Sequence, residues 1–343
     1  MIENQLSRWG AISRDISFDK LGPAGRIFIA LHPYAYQVSS SNTGASWYST
    51  VVHEFPVDKQ GKPRIYSTIQ GAIDATETGR GDIVLVGPGK WKEEAYVVNK
   101  IGIKLIGYGG RDWNGGYMVQ MRPSDASTHY AFTTKLGNAS SGAAFHIMSK
   151  SVEVCGFFFD GGGGYAGIYA GGGLNGCTTG YGGTVYTTEN ASGLYVHHCF
   201  FRGGSEGVTG LYLNGPRFGC LVENCIFERW TGAAIEIDAG NASTEFAIIR
   251  NNYFLADNGA YGIRTYGEAN SVLGCTIDGN VFADRVSHAF TYAVSNSSGS
   301  TGVLSVTRNA FACANKMDLL ATDYHCGNFS GTASATEVYV HEA

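Results

Sequence analysis

Glu236 and Asp238 stand two residues apart in AAIEIDAG, and Arg264 follows in YGIRTYGE. Two carboxylates beside a cation are the groups that acid–base chemistry on a polysaccharide would use. The same three residues also read as an ordinary cross-strand ion pair with an acidic neighbour. Tyr212 and Asn214 in GLYLNG, with Tyr266 in YGIRTYGE, are candidate glycan contacts, the tyrosines serving as stacking platforms. His197-His198 beside Cys199 suggests a metal, yet no carboxylate or further histidine stands at ligand spacing, so the pair reads as a turn and no metal is expected. No Cys-x-x-Cys, His-Glu-x-x-His, P-loop or nucleophile elbow occurs, and no cofactor is expected. GGGYAG satisfies G-x-G-x-x-G inside a glycine run, without the strand before and helix after that a dinucleotide site requires.

The elements that must position these residues are repeats. An apolar residue, two variable residues, Cys or Asn, one variable residue and Phe recur as VEVCGF (152–157), VHHCFF (196–201), VENCIF (222–227), IRNNYF (249–254), IDGNVF (277–282) and VTRNAF (306–311). The key positions are Cys155, Cys199, Cys225, Asn252, Asn280 and Asn309, and after a first gap of 44 the period is 26 to 29 residues. That period is one coil of a parallel β-solenoid. A second strand follows each copy, and GLYLNG, AAIEIDAG and YGIRTYGE are three of these. Alternation sends Ile235 and Ile237 inward and leaves Glu236 and Asp238 outside. Stacking in register predicts an internal amide ladder of Asn252, Asn280 and Asn309, cysteines as small fillers in the same column, and a stack of Phe157, Phe201, Phe227, Phe254, Phe282 and Phe311. Cys220 and Cys275 fall two coils apart with Ala247 between them, too far for a disulfide.

Composition agrees. Of 343 residues 49 are glycine, hydrophobic residues are 44% and charged residues only 15%, which suits β structure with many turns and excludes intrinsic disorder. A net charge of −5 gives no footprint for nucleic acid, and no apolar run approaches a membrane span. The first twenty residues lack the basic-then-apolar layout of a secretory signal. Synthesis in a cytoplasm with reduced thiols is the expectation.

Three segments stand apart from the repeat. Residues 1–64 are expected to form an N-terminal cap or attachment region, residues 65–330 the β-helix domain, and 331–343 a strand-like tail. Within the middle unit, residues 161–183 insert 12 glycines with Tyr165, Tyr169 and Tyr181. These tyrosines, with Trp9, Tyr34 and Tyr36, are the candidate partner contacts.

The run STIQGAID…GDIVLVGPGKWKEE…IGIKLIGYG resembles the N-terminal cap and first coils of the pectate-lyase-like right-handed parallel β-helix superfamily. The resemblance covers about residues 65–320. It implies an all-β, single-stranded right-handed solenoid with a short N-terminal capping helix. It also implies that the sheet carrying Glu236 and Asp238 is the one on which pectate lyases and polygalacturonases keep their active sites. The Asn-Thr-Asp, Asp-Asp, Gly-His-Gly and Arg-Ile-Lys elements of polygalacturonases are missing, as is the set of calcium-binding acids of the lyases. A charge-poor β-helix without these sets resembles bacteriophage virion proteins. The first expectation is therefore a non-catalytic capsid decoration or other particle-surface component at the virion surface, homotrimeric and bound to the major capsid protein or another virion protein. The alternatives are a tailspike-type polysaccharide lyase or hydrolase acting on an acidic glycan through Glu236, Asp238 and Arg264, and a module that binds a cell-surface glycan.

Overall fold

The computed structural model describes residues 26–30, 64–87, 89–91, 93, 95–107, 119–121, 143–160, 166–171, 191–203, 209–214, 219–238, 244–256, 260–266, 272–285, 288–296 and 303–330. These form a right-handed parallel β-helix of three long sheets with eleven, nine and eight strands. Every pairing between neighbouring coils is parallel, and from Ile83–Val86 to Met317–Asp318 each coil gives one strand to each sheet in turn. In one coil the strands are Cys220–Glu223 in the first sheet, Ile226–Glu228 in the second and Ala233–Asp238 in the third. Strand Ile27–Ala30 lies in the first sheet between Ile65–Tyr66 and Ile83–Val86, so this part of the N-terminal segment is a rung of the helix itself.

A helix, Ile69–Ala75, buries Ile69, Ala72 and Ile73 against the first strands. Thr68 starts it by accepting from the Gly71 amide at 3.0 Å. The Glu93 carboxylate accepts from the amides of Ile69 and Gln70, both at 2.8 Å, which satisfies two further free donors of the first turn. No helix among the described residues is long and apolar enough to cross a membrane.

The repeat has a backbone cause. Between the first and second sheets the chain turns through one residue with positive φ: Gly156, His198, Asn224, Asn251, Gly279, Arg308 and Gly327. Gly and Asn reach this region at low cost. The residue after it points inward. Asn252, Asn280 and Asn309 there form the expected ladder: the Asn252 amide and Nδ2 donate to Asn280 Oδ1 at 2.9 and 3.0 Å, and Asn280 repeats this onto Asn309 at the same distances. The ladder runs one step further than expected. Asn309 donates in the same way to Asn328, in a seventh copy, HCGNFS, where His325 and Ser330 replace the apolar residue and the Phe.

The first copy sits two residues later than its sequence suggests. Val154 pairs with Val196, Phe159 with Phe201, and the Phe200 amide donates to the Phe157 carbonyl as the Ile226 amide does to that of Cys199. Phe157 thus takes the filler position expected for Cys155, and Phe159 takes the stacking position expected for Phe157. Gly156 decides the register, because the alternative would put β-branched Val154 at positive φ. Close approach enforces it too: a Cβ on Gly107 would fall 2.3 Å from the Gly156 carbonyl oxygen. Cys155 therefore lies on the outer face, level with His197. The stack runs Phe159, Phe201, Phe227, Phe254, Phe282 and Phe311, with centroids 4.6–5.1 Å apart and planes within 13°. Cys220 and Cys275 are separated by Ala247 as the period predicts.

Candidate functional site

Ile235 and Ile237 are fully buried in the core, which turns Glu236 between them to the outer face of the third sheet. Parallel register sets it in a row: Tyr96, His146, Tyr169, Tyr212, Glu236, Arg264, Ser295 and Asp318. The row is aromatic at one end and charged in the middle. Tyr96 and His146 stack with centroids 4.6 Å apart and planes 13° from parallel. Arg264 Nη2 donates to Glu236 Oε2 at 2.8 Å, and its guanidinium carbon lies 5.0 Å from the Tyr261 ring centroid. Glu236 faces away from the core yet is only 7% exposed. The sequence placed it in the open, whereas it is a carboxylate in a partly dry setting where a paired charge interacts more strongly than in water.

Of the other sequence candidates, Asn214, Asp238 and Tyr266 share one register position on adjacent strands, two residues along from Tyr212, Glu236 and Arg264. Tyr169 is in register between His146 and Tyr212. Trp9, Tyr34, Tyr36, Tyr165 and Tyr181 lie outside the described residues, as does the 331–343 tail. Sequence reasoning missed Tyr96 and His146. Their signal is the alternation in AYVV and AAFHIM, which becomes informative only once those coils are aligned with the rest.

The outer face of the first sheet carries a second polar network. His197 Nε2 and Glu153 Oε1 are 3.1 Å apart, Lys104 Nζ lies 2.7 Å from Glu153 Oε2, and the Nδ1 atoms of His197 and His198 are 2.8 Å apart. The bond to His197, with Lys104, holds the Glu153 carboxyl down at about 2. Burial pushes the Cys155 thiol up to about 12. Tyr195 stacks on His197 at 4.1 Å and donates its hydroxyl to Glu223 Oε1 at 2.5 Å, while Arg250 Nε donates to Glu223 Oε2 at 2.7 Å.

Glu223 gives a pH prediction. The hydroxyl of Tyr195 and then Arg250 hold its carboxyl below the usual glutamate range. A carboxyl depressed by folding stabilises the native state above the ordinary value, near 4.3, and that contribution fades as pH falls through the lower folded value. Glu223→Gln should lower stability by about 1–2 kcal/mol at pH 7, since the bonds it weakens are charge-assisted. The difference from the parent should shrink below about pH 4 in thermal melts run across acid pH. A difference that held constant down to pH 2.5 would exclude this origin.

Comparison with known proteins gives the fold its company. No protein-family model matches the chain, and no curated protein sequence does. Among solved structures it is similar to a pectin methylesterase from Aspergillus niger in deglycosylated form, at 13% identity over 82% of this chain and 85% of that one, TM-score 0.49. It is also similar to the carrot pectin methylesterase, at 11% identity over 81% and 82%, TM-score 0.48. The rice weevil pectin methyl esterase aligns at 11% identity over 88% and 96%, TM-score 0.49.

Proposed function

We propose that this protein is a polysaccharide-modifying enzyme whose substrate lies along the outer face of the third sheet. The observation that carries the reading is the half-dry Glu236–Arg264 pair at the centre of a row whose other end is aromatic. Tyr96 and Tyr212, both only partly buried, offer ring surface to the apolar parts of sugar units, while buried His146 backs Tyr96. A guanidinium recognises the carboxylate of an acidic sugar by paired hydrogen bonds, which fits an acidic glycan as substrate. Glu236 would then act as general base or acid, with Asp238 as the second carboxylate of the pair and Arg264 steadying the negative charge that develops. Tyr212, Asn214 and Tyr266 would line the neighbouring subsites. The test is incubation of the purified protein with a panel of acidic polysaccharides, reading new reducing ends, unsaturated ends and released ester alcohol. Activity that disappears on Glu236→Gln supports the reading; binding without any of the three products turns it into a glycan-binding module.

A second reading has one observation in its favour. The outer face of the second sheet presents an apolar row of Phe158, Phe200, Ile226, Tyr253, Val281, Ala310 and Phe329. Tyr253 and Phe329 are more than half exposed. Large exposed apolar surface marks places where proteins meet, and a phage particle component, trimeric or bound to a capsid protein, would use such a face. Sedimentation of the purified chain alone and with particles tests it: a monomer that never cosediments would remove this reading.

A further inference from the structure

Glu153, Cys155 and His197 bring one oxygen, one sulfur and one nitrogen donor within 4.8 Å of one another on the outer face of the first sheet. We infer that these three side chains form a binding site for a soft divalent cation of the zinc type, clamping two coils together. The inference is independent of the third-sheet site and concerns a different face of the helix.

The donor set argues for the class of ion. A thiolate with an imidazole and one carboxylate is a borderline-soft set, which zinc prefers and which calcium and magnesium do not. Ordinary zinc bond lengths place tetrahedral donors about 3.5 Å apart. Closure from the present spacing asks for about 1 Å of movement in partly buried side chains, within the reach of rotamer adjustment. Two supporting contacts are already made. Lys104 holds Glu153 by Oε2, leaving Oε1 turned toward His197. His198 offers Nδ1 to His197 Nδ1 at 2.8 Å, which orients the ring so that Nε2 faces the other two donors. Metal-bound histidines use such a partner on the second ring nitrogen to set tautomer and angle. Binding would exchange the Glu153–His197 contact for two bonds to the ion, move the His197 ring proton from Nε2 to Nδ1, where it is donated to an unprotonated His198 Nδ1, and release the Cys155 proton to solvent.

The position in the fold supplies a purpose. Glu153 and His197 are 44 residues apart, and between their coils runs the long Gly/Tyr-rich insertion. Later in the repeat 26 to 29 residues join one coil to the next, and 19 join the last two. A clip at this junction ties the two coils directly across a covalent connection longer than any that follows it in the helix.

The experiment uses the full-length protein, stripped with chelator and titrated with Co2+ alone, then displaced by Zn2+. The expected result is one Co2+ per chain with a thiolate-to-cobalt absorption in the near ultraviolet and tetrahedral visible bands. Cys155→Ser should abolish the near-ultraviolet band, and His197→Ala should weaken binding by about 100-fold or more. His198→Ala should weaken it by about 10- to 100-fold while keeping the band. Cys326→Ser, in the same outward column six coils on, should change nothing. Far-ultraviolet circular dichroism shows that each variant is folded. A stripped protein that shows no thiolate band at 100 µM Co2+, or a band that survives Cys155→Ser, would overturn the proposal.

Discussion

Replacing Glu236 by glutamine is expected to lower turnover on an acidic polysaccharide by about 10²- to 10⁴-fold, the range that a positioned acid or base contributes. Glutamine keeps the shape and can still accept from Arg264 Nη2, so the fold and substrate binding should change little. The effect belongs in kcat, with KM nearly constant. Arg264→Lys tests the other half of the pair. Lysine retains the charge but loses the planar fork lying near Tyr261, so both kcat and affinity for acidic chains should fall. Kinetics on the parent and the two variants check this, and a Glu236→Gln protein with parental kcat would remove Glu236 from the chemistry.

Asn280→Ala should produce one of the largest losses of stability of any single change in the repeat, comparable with emptying a position of the Phe stack. Asn280 is fully buried in the middle of the ladder. Its Oδ1 receives the amide and Nδ2 of Asn252, its Nδ2 donates to the Ile249 carbonyl and to Asn309 Oδ1, and its own amide donates to the same oxygen. Truncation leaves a buried amide, a side-chain donor and a carbonyl without these partners, each costing about 1–3 kcal/mol. A total near 3–5 kcal/mol is expected, which for a chain of this size corresponds to a fall in Tm of roughly 4–7 °C. Asn280→Asp should be no better, because a carboxylate cannot donate to Ile249 and would be buried among acceptors. Loss should appear first as faster amide exchange in the coils of Asn252 and Asn309, since a solenoid's coupling runs between neighbours. Thermal melts with hydrogen exchange measure both quantities. A change below 1 kcal/mol would mean that water replaces the ladder.

Much of the fold could be read from the sequence because stacking repeats a chemical environment every coil. Asn252, Asn280 and Asn309 share one environment, and so do Phe201, Phe227, Phe254, Phe282 and Phe311. The first copy escaped because VEVCGF matches the template in full, whereas the register adopted two residues on, VCGFFF, has Phe157 where the template has Cys or Asn, and a shift of two leaves the inside–outside pattern of a strand unchanged. The discriminating residue is Gly156 at positive φ, a backbone property that an apolar template does not see. The slip placed Cys155 indoors and thereby concealed its closeness to Glu153 and His197. At the third sheet, alternation was enough to align Tyr212, Glu236 and Arg264. It could not tell that Glu236 is almost fully covered, because cover depends on packing from outside the strand.

The most direct measurement of the account is a product assay on a panel of acidic polysaccharides, run with the parent chain and Glu236→Gln side by side. The parent is expected to release product from at least one acidic chain, with a loss of about 10²-fold or more in the variant and equal binding by both. No product from any chain, together with stoichiometric addition of the protein to a virus particle, would contradict the enzyme reading and establish the particle component instead.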